Sequence, residues 1–426
     1  MIDRLRKAWL LGGFSKNVAV LAGGAALGQG AILLASPLLT RIYSPADFGV
    51  YAAAASLVSL LAVVTTLSYQ VAIPLPESRA QTASLIALCA VTSVATTVVS
   101  GLFLAAFGGT ILSILAADGL EPFLWTITLG QLGGATYQIV SLWAIRVALF
   151  RAIAQTRVAQ GVGLAVLQLV LSGVGSGLGL IIGDVVGRTA GTARLAVTMW
   201  HREADHFRKV TVGSMLAIAN RYRRFPIFIN ASSLLDTLGL ELPILMLLAQ
   251  YGSAVGGNYL LVARLAGLPT ALIGVAASQV FFSEAARLAS DLPVLRHLLF
   301  STVRRLFLTA VAPAALGAVL APAMVPVIFG PEWSDAGIYL TLLAPMFLLQ
   351  FTAAPTGAIL LVLERQDVAL AREVTRTGIM VATIAAVIAA GLGPVHAVLA
   401  ISIAGCAGYV VYLVASWYAI SAAALR

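Results

Sequence analysis

The sequence predicts an all-α polytopic membrane protein, and three observations carry that prediction. Sixty per cent of the 426 residues are hydrophobic and only 10% are charged, against about 25% charged in an ordinary soluble domain. Mean hydropathy is +0.98. The apolar runs are long, and stretches such as LVSLLAVV and AVIAA lack the alternation of a barrel strand.

A hydrocarbon core of about 30 Å needs about 20 apolar residues per helix. That ruler predicts twelve spans: 17–39, 47–70, 80–107, 121–145, 153–175, 177–200, 225–250, 253–282, 306–329, 336–362, 374–392 and 395–421. The first is too long for the roughly 7–15-residue apolar region of a cleavable leader, and Arg41 follows it directly. It is therefore expected to stay in the mature chain.

Lysine and arginine segregate on this scheme. Of the 26, 23 fall in the N-terminal segment, the 71–80, 146–157, 194–224, 283–305 and 364–376 regions and the C-terminus, all on one side. Arg41 alone flanks the other side, and Arg188 and Arg264 lie inside spans. Positive charge stays on the cytoplasmic face, so both termini are expected there. The opposite loops are short and mildly acidic, too small for a catalytic domain.

An internal repeat is legible as well. Tyr43-Ser-Pro-Ala-Asp-Phe-Gly-Val-Tyr51 aligns with Tyr251-Gly-Ser-Ala-Val-Gly-Gly-Asn-Tyr259 at an offset of 208. The offset pairs span 1 with span 7, so the halves form a parallel repeat, a transporter layout. The expected domains are an N-terminal lobe at 1–200, a basic cytoplasmic linker at 201–224 and a C-terminal lobe at 225–426.

Ionisable residues inside the spans mark candidate sites. A central charge costs about 2.5–3.5 kcal/mol on insertion scales. Asp184, Arg188, Asp236, Glu241 and Arg264 together therefore cost about 12–17 kcal/mol before compensation. They must pair or face water. Asp184 and Arg188 sit four apart, acid first, the favourable order for a pair within one helix; the alternative is a cavity wall that releases Arg188 to a phosphate. Arg264 has no acid within four positions. It either pairs across helices with Asp236 or Glu241 or projects into an aqueous cavity, where a planar fork of donors suits a diphosphate. Asp236 and Glu241 flank Gly239 and precede Pro243, which predicts a bent or broken span 7 near mid-membrane. Carboxylates there either exchange H⁺ or Na⁺ or partner Arg264. Gln29, Gln131 and Gln138 read as hydrogen-bonding contacts between helices.

Other chemistries are excluded. Cys89 and Cys406 are far apart in apolar spans, without CxxC or metal spacing. His201, His206, His297 and His396 carry no ligand pattern, and no P-loop is present. The net charge of +9 resides in loops between spans, not in a basic patch with exposed aromatics, so nucleic acid is not a partner. No cofactor is implied.

Five stretches resemble a known family. They are Leu39-Thr-Arg-Ile-Tyr-Ser-Pro-Ala-Asp-Phe-Gly-Val-Tyr51, Trp143-Ala-Ile-Arg146 with Phe150, and Tyr222-Arg-Arg-Phe-Pro226. The others are Leu268-Pro269 through Ser278-Gln-Val-Phe-Phe282, and Ile328-Phe-Gly-Pro-Glu-Trp333 with Ala336-Gly337. In this order they are similar to the bacterial Wzx-type O-antigen and exopolysaccharide flippases of the MOP superfamily. The resemblance implies a MATE-like, V-shaped fold of two six-helix lobes in the bacterial inner membrane, with spans 1, 2, 7 and 8 lining a cavity. It implies no enzyme activity. It implies that undecaprenyl-diphosphate-linked oligosaccharide crosses from the cytoplasmic to the periplasmic leaflet by alternating access, under an H⁺ or Na⁺ gradient, in concert with polysaccharide polymerase or ligase machinery. Candidates for the substrate path are Arg264, Arg188, Gln29 and Arg41; candidates for ion coupling or charge pairing are Asp236, Glu241 and Asp184. Relatives carry amides where this chain has Asp236 and Glu241, which moves span 7 away from anion binding and toward partnership with Arg264. The alternatives are a MATE-like antiporter of small molecules and, third, a membrane-embedded polymerase or ligase.

Overall fold

A computed structural model describes residues 14–174, 177–289, 291–363 and 365–423. These residues form helices joined by short turns, with no strand among them. In chain order the helices are α1 (Phe14–Ile42), α2 (Pro45–Thr65), α3 (Arg79–Ile114), α4 (Trp125–Arg146), α5 (Phe150–Val170), α6 (Leu178–Thr189), α7 (Thr192–Phe207) and α8 (Val212–Arg221). There follow α9 (Asn230–Tyr251), α10 (Ser253–Pro269), α11 (Val275–Arg287), α12 (Leu292–Phe329), α13 (Ser334–Ala353), α14 (Ile359–Val362), α15 (Gln366–Ala389) and α16 (Pro394–Ala423).

Among the described residues, eight segments are long and apolar enough to cross a membrane. The other four expected spans correspond to α4, the pair α6–α7, the pair α10–α11, and α15. Each of the twelve crossings thus has a helix or helix pair. Span 6 is divided by Gly191, whose φ of +74° is a left-handed conformation that glycine adopts without strain. Span 8 is interrupted by a π turn at Thr270–Gly274. Span 7 differs from expectation: α9 runs unbroken through Pro243, and its irregularity is a π turn at Phe225–Ile229. An interior proline removes one hydrogen bond, and in a packed membrane helix neighbours absorb that loss.

The basic 283–305 region is also more ordered than its charge suggests. α12 starts at Leu292 and extends for 38 residues, about 57 Å, so Arg296, His297, Arg304 and Arg305 lie on its first turns. Leu295 and Leu299 alternate with these residues and bury against Phe281, Ala285, Ile359, Leu360 and Ile420.

The chain divides into two compact units, one of residues 1–35, 54–113 and 117–234, the other of 36–53, 114–116 and 235–426. In the first unit, glycines allow α5 to pack closely on two sides. A Cβ at Gly28 would meet the Arg157 carbonyl at 2.6 Å, and one at Gly183 would meet the Gln168 backbone at 2.8 Å. Such small-residue faces let membrane helices approach and gain dispersion contacts. The core of this unit gathers Trp143, Ile73, Leu85, Cys89 and Ile153. Trp143 Nε1 donates to buried Glu203 at 3.2 Å, and Arg146 donates to the carbonyl of Pro74 at 3.0 Å. Residues 201–224, read from sequence as a linker, form the end of α7 and α8 within this unit.

In the second unit the two copies of the repeated motif pack on each other. A Cβ at Gly49 would overlap the Ser253 carbonyl, and one at Gly257 would overlap the Pro45 carbonyl. These contacts are reciprocal, because positions 45 and 253, and 49 and 257, are both related by the 208-residue offset. The repeat is therefore a local two-fold contact in which each glycine admits the other copy's backbone. Ser44 caps α2: its amide and hydroxyl donate to Asp47 Oδ2 at 2.9 and 2.8 Å, with Pro45 at the first helical position, where its fixed φ suits a helix start. Trp333 is fully buried, donates Nε1 to the Thr40 carbonyl at 2.9 Å and meets Phe48 edge-on at 4.9 Å.

A charged cluster and polar cavity in the second unit

α9, α10, α13, α15 and α16 converge on a polar centre inside the second unit. Arg376 donates from Nη2 to Asp236 Oδ1 at 2.8 Å and from Nε to Glu373 Oε2 at 2.9 Å. Arg372 donates to Glu373 Oε1 from Nε at 3.0 Å and from Nη2 at 2.7 Å. Glu373 is buried and both arginine side chains are nearly so, whereas the Asp236 side chain is 54% exposed. Two arginines and two carboxylates balance, as desolvated charges require. The Arg372 guanidinium lies 3.6 Å from the Tyr412 ring centroid, an aromatic face suited to a planar cation.

Glycine makes room for Arg376 on both sides. A Cβ at Gly239 would stand 2.9 Å from Arg376 Nη2, and one at Gly408 would stand 2.8 Å from its Cγ. Beside the cluster lies a cavity of about 290 Å³ lined by Glu241, Tyr259, Gln350, Arg376 and Tyr409, with Phe347, Met346 and Met380 as apolar wall. Its groups offer acceptors and donors at several angles around aromatic faces, an arrangement that can hold a polyhydroxylated or ionic solute.

Arg264 rests on aromatic faces. Its guanidinium carbon lies 4.8 Å from the Tyr51 ring centroid and 5.5 Å from that of Phe48. Its Nη1 is buried and has no hydrogen-bond acceptor among the described residues. Of the two carboxylates expected as its partners, Asp236 is instead joined to Arg376. Arg264 does not line the 290 Å³ cavity, although its α10 neighbours Ala263 and Gly267 do.

The remaining candidates are dispersed. In the first unit Arg188 Nε donates to Asp184 Oδ2 at 2.7 Å, with Asp184 buried and the Arg188 side chain 59% exposed. Gln29 on α1 is exposed, as is Arg41 in the last turn of α1. Gln131 donates to Ser100 at 3.3 Å and Gln138 accepts from Gln70 at 3.1 Å, both within the first unit.

The residues that sequence reasoning missed are Arg372, Glu373 and Arg376. Three charges in five positions depress hydropathy, so the sequence reading starts span 11 at 374 and counts Arg372 and Arg376 with the charges of the 364–376 region. The structure places them inside α15, the second arginine ten residues from its start, about 15 Å along the axis. One signal was available: Glu373 and Arg376 stand at i,i+3, a spacing that puts both on one helix face.

Comparison with known proteins places these features in context. The family model described as polysaccharide biosynthesis protein matches residues 38–338. The lipopolysaccharide biosynthesis protein WzxC of Escherichia coli (strain K12) is 28% identical over 188 residues, which are 43% of this chain and 36% of WzxC. The chain thus aligns with about a third of that relative's length. Among solved structures, an inward-facing multidrug resistance MATE family transporter of the MOP superfamily superposes with a TM-score of 0.71 at 14% identity, covering 94% of each chain. A MOP superfamily transporter from Pyrococcus furiosus gives 0.66 at 15% identity over 96% of each chain, and an outward-facing MATE transporter gives 0.64 at 16% over the same shares. At these identities the structural likeness concerns the fold.

Proposed function

We propose, from the premise that this chain belongs to the polysaccharide biosynthesis protein family, that it is a flippase for lipid-linked oligosaccharide. The cargo is an undecaprenyl-diphosphate-linked repeat unit, moved from the cytoplasmic to the periplasmic leaflet of a bacterial inner membrane for surface polysaccharide synthesis. Both termini lie in the cytoplasm, the halves on either side of the 201–224 segment alternate access, and polymerase or ligase machinery consumes the product.

The observation that carries this reading is the Arg264 guanidinium, stacked on Tyr51 and Phe48 with Nη1 buried and unaccepted. Arg264 stands eleven residues into α10, about 16 Å from its start and so at mid-membrane depth. A diphosphate in hydrocarbon without counter-charge is prohibitive, and a buried cation lacking its acceptor is costly for the same reason. Each resolves the other's desolvation. Arg188 and Arg41 are further cationic points along the path, and Gln29 is a polar one. Coupling to H⁺ or Na⁺ falls to Asp236 and Glu241: a cation that neutralises Asp236 releases Arg376 to the cargo. Asp184 holds Arg188 in the same manner.

The test is transport of a fluorescent undecaprenyl-diphosphate-linked oligosaccharide in proteoliposomes of the full chain. Arg264→Ala is expected to lower the rate at least tenfold, and Arg264→Lys to restore little, because an ammonium lacks the planar face and the fork of donors. Full activity of Arg264→Ala removes this residue from the path. The fold and the carboxylate of Glu241 in a 290 Å³ cavity support a second reading, export of a small organic cation. Transport of such a cation without movement of the lipid-linked sugar would favour it.

A further inference from the structure

We infer that the apolar trench formed by α10, α12 and α13 seats the isoprenoid tail of a diphosphate-linked lipid whose polar head occupies the adjoining polar cavity. The trench encloses about 380 Å³. At roughly the ~30 Å³ of a water-sized group, that space holds about a dozen carbon atoms, a few branched five-carbon units. Six of its fourteen lining residues are alanine or glycine, Ala266, Ala310, Ala314, Gly317, Ala318 and Ala344, so at these positions the space reaches close to the helix backbones. On the same α12, Leu316 and Val319 are 60% and 76% exposed. The trench is therefore a local recess in a surface otherwise built of large apolar side chains.

The occupant is identified by what lies next door. Phe347 lines both this trench and the 290 Å³ polar cavity. The helices that wall them are shared as well: on α10 Ala263 and Gly267 face the polar side while Ala266 and Pro269 face the apolar side, and on α13 Gln350 and Phe351 divide in the same way. Only an amphiphile uses both spaces at once. Gln350, Tyr259 and Tyr409 supply hydrogen-bonding groups and aromatic faces for a sugar, and Arg376 supplies a cation for phosphate when Asp236 is neutralised and releases it. A buried Nη1 on Arg372, without an acceptor among the described residues, adds a second guanidinium donor at the cluster behind Arg376. Once Asp236 is neutralised, two guanidiniums face the single carboxylate of Glu373 in the cluster, and that excess positive charge suits an anionic head.

The inference rests on the flippase reading and goes beyond it by giving the tail a seat. The test uses the purified full chain and an undecaprenyl diphosphate bearing a photoreactive group near the tail end. Label is expected in peptides spanning residues 309–318 and 340–351. Ala314→Phe fills the trench and is expected to lower affinity for undecaprenyl diphosphate at least tenfold, with less than a twofold change for geranyl diphosphate, which keeps the head and lacks most of the tail. Ala310→Phe, one turn away, is required to act in the same sense. Label elsewhere, an equal effect on both ligands, or no effect of either variant overturns the inference. So does phosphatidylglycerol competing as well as unlabelled undecaprenyl diphosphate, which would make the trench a seat for bilayer acyl chains. If lipid-linked oligosaccharide still crosses while the trench stays unlabelled, the tail assignment falls and the flippase reading stands; if the chain neither binds nor moves such lipids, both fall.

Discussion

Two groups of charges inside hydrocarbon-length helices are satisfied in different ways. In the first unit, Asp184 and Arg188 neutralise each other across one turn of α6, at 2.7 Å, with the arginine largely exposed. In the second unit, Asp236, Arg372, Glu373 and Arg376 form a cluster that joins α9 to α15 across 140 positions of sequence, with Glu373 buried between two arginines. A pair within one helix can break and reform without moving a helix. A cluster between helices ties α9 to α15 through the Asp236–Arg376 contact. The contrast separates a local neutralisation from a link that can report on cargo or coupling ion.

That contrast can be broken or sharpened by substitution. The largest effect is expected for Glu373→Gln, which leaves two nearly buried arginines without their common carboxylate. Removing one partner of a buried ion pair costs about 3–5 kcal/mol, read as a lower unfolding midpoint of the detergent-solubilised protein. Arg188→Ala is expected to cost less, about 1–2 kcal/mol, since Asp184 loses a charged hydrogen bond at a site where the arginine already reaches solvent. If the two variants are equally destabilised, the distinction between local pair and inter-helix cluster is lost. Asp236→Asn is expected to change stability by under about 1 kcal/mol, its side chain being half exposed. It is expected instead to abolish the response of transport to an imposed H⁺ or Na⁺ gradient; a retained response would move coupling to Glu241. The smallest effect is expected at the exposed pair at the start of α15, where Arg365 holds the Asp367 carboxyl down at about 2. A depressed carboxylate contributes above its unfolded value of about 3.9 and loses that contribution only as pH falls toward 2. Asp367→Asn should therefore lower the unfolding midpoint only slightly, and by the same amount at every pH from 5 to 8.

Legibility followed the range of the interaction. The Asp184–Arg188 spacing could be read because helix geometry alone brings i and i+4 together. The motif repeat could be read because it is an identity along the chain, although its purpose, two glycines each admitting the other copy's carbonyl, needed coordinates. The continuity of α9 through Pro243 could not be read, since tertiary neighbours decide whether a lost hydrogen bond breaks a membrane helix. Nor could the partner of Asp236. Sequence proximity favoured Arg264, and the charge count set Arg376 with the cytoplasmic 364–376 region although span 11 begins at 374.

By itself, the sequence determined the all-helical membrane class, the number of crossings, the internal repeat and the presence of charges that demand compensation. Those properties depend on hydrophobic length and on chemistry summed over segments, and the bilayer enforces them whatever the detailed packing. Tertiary structure alone decided that Asp236 meets Arg376, that Arg264 rests on Tyr51 and Phe48, and that a polar cavity and an apolar trench share Phe347. Hydrogen bonds and aromatic contacts act over a few ångströms, and positions hundreds of residues apart reach that separation only when the helices have packed.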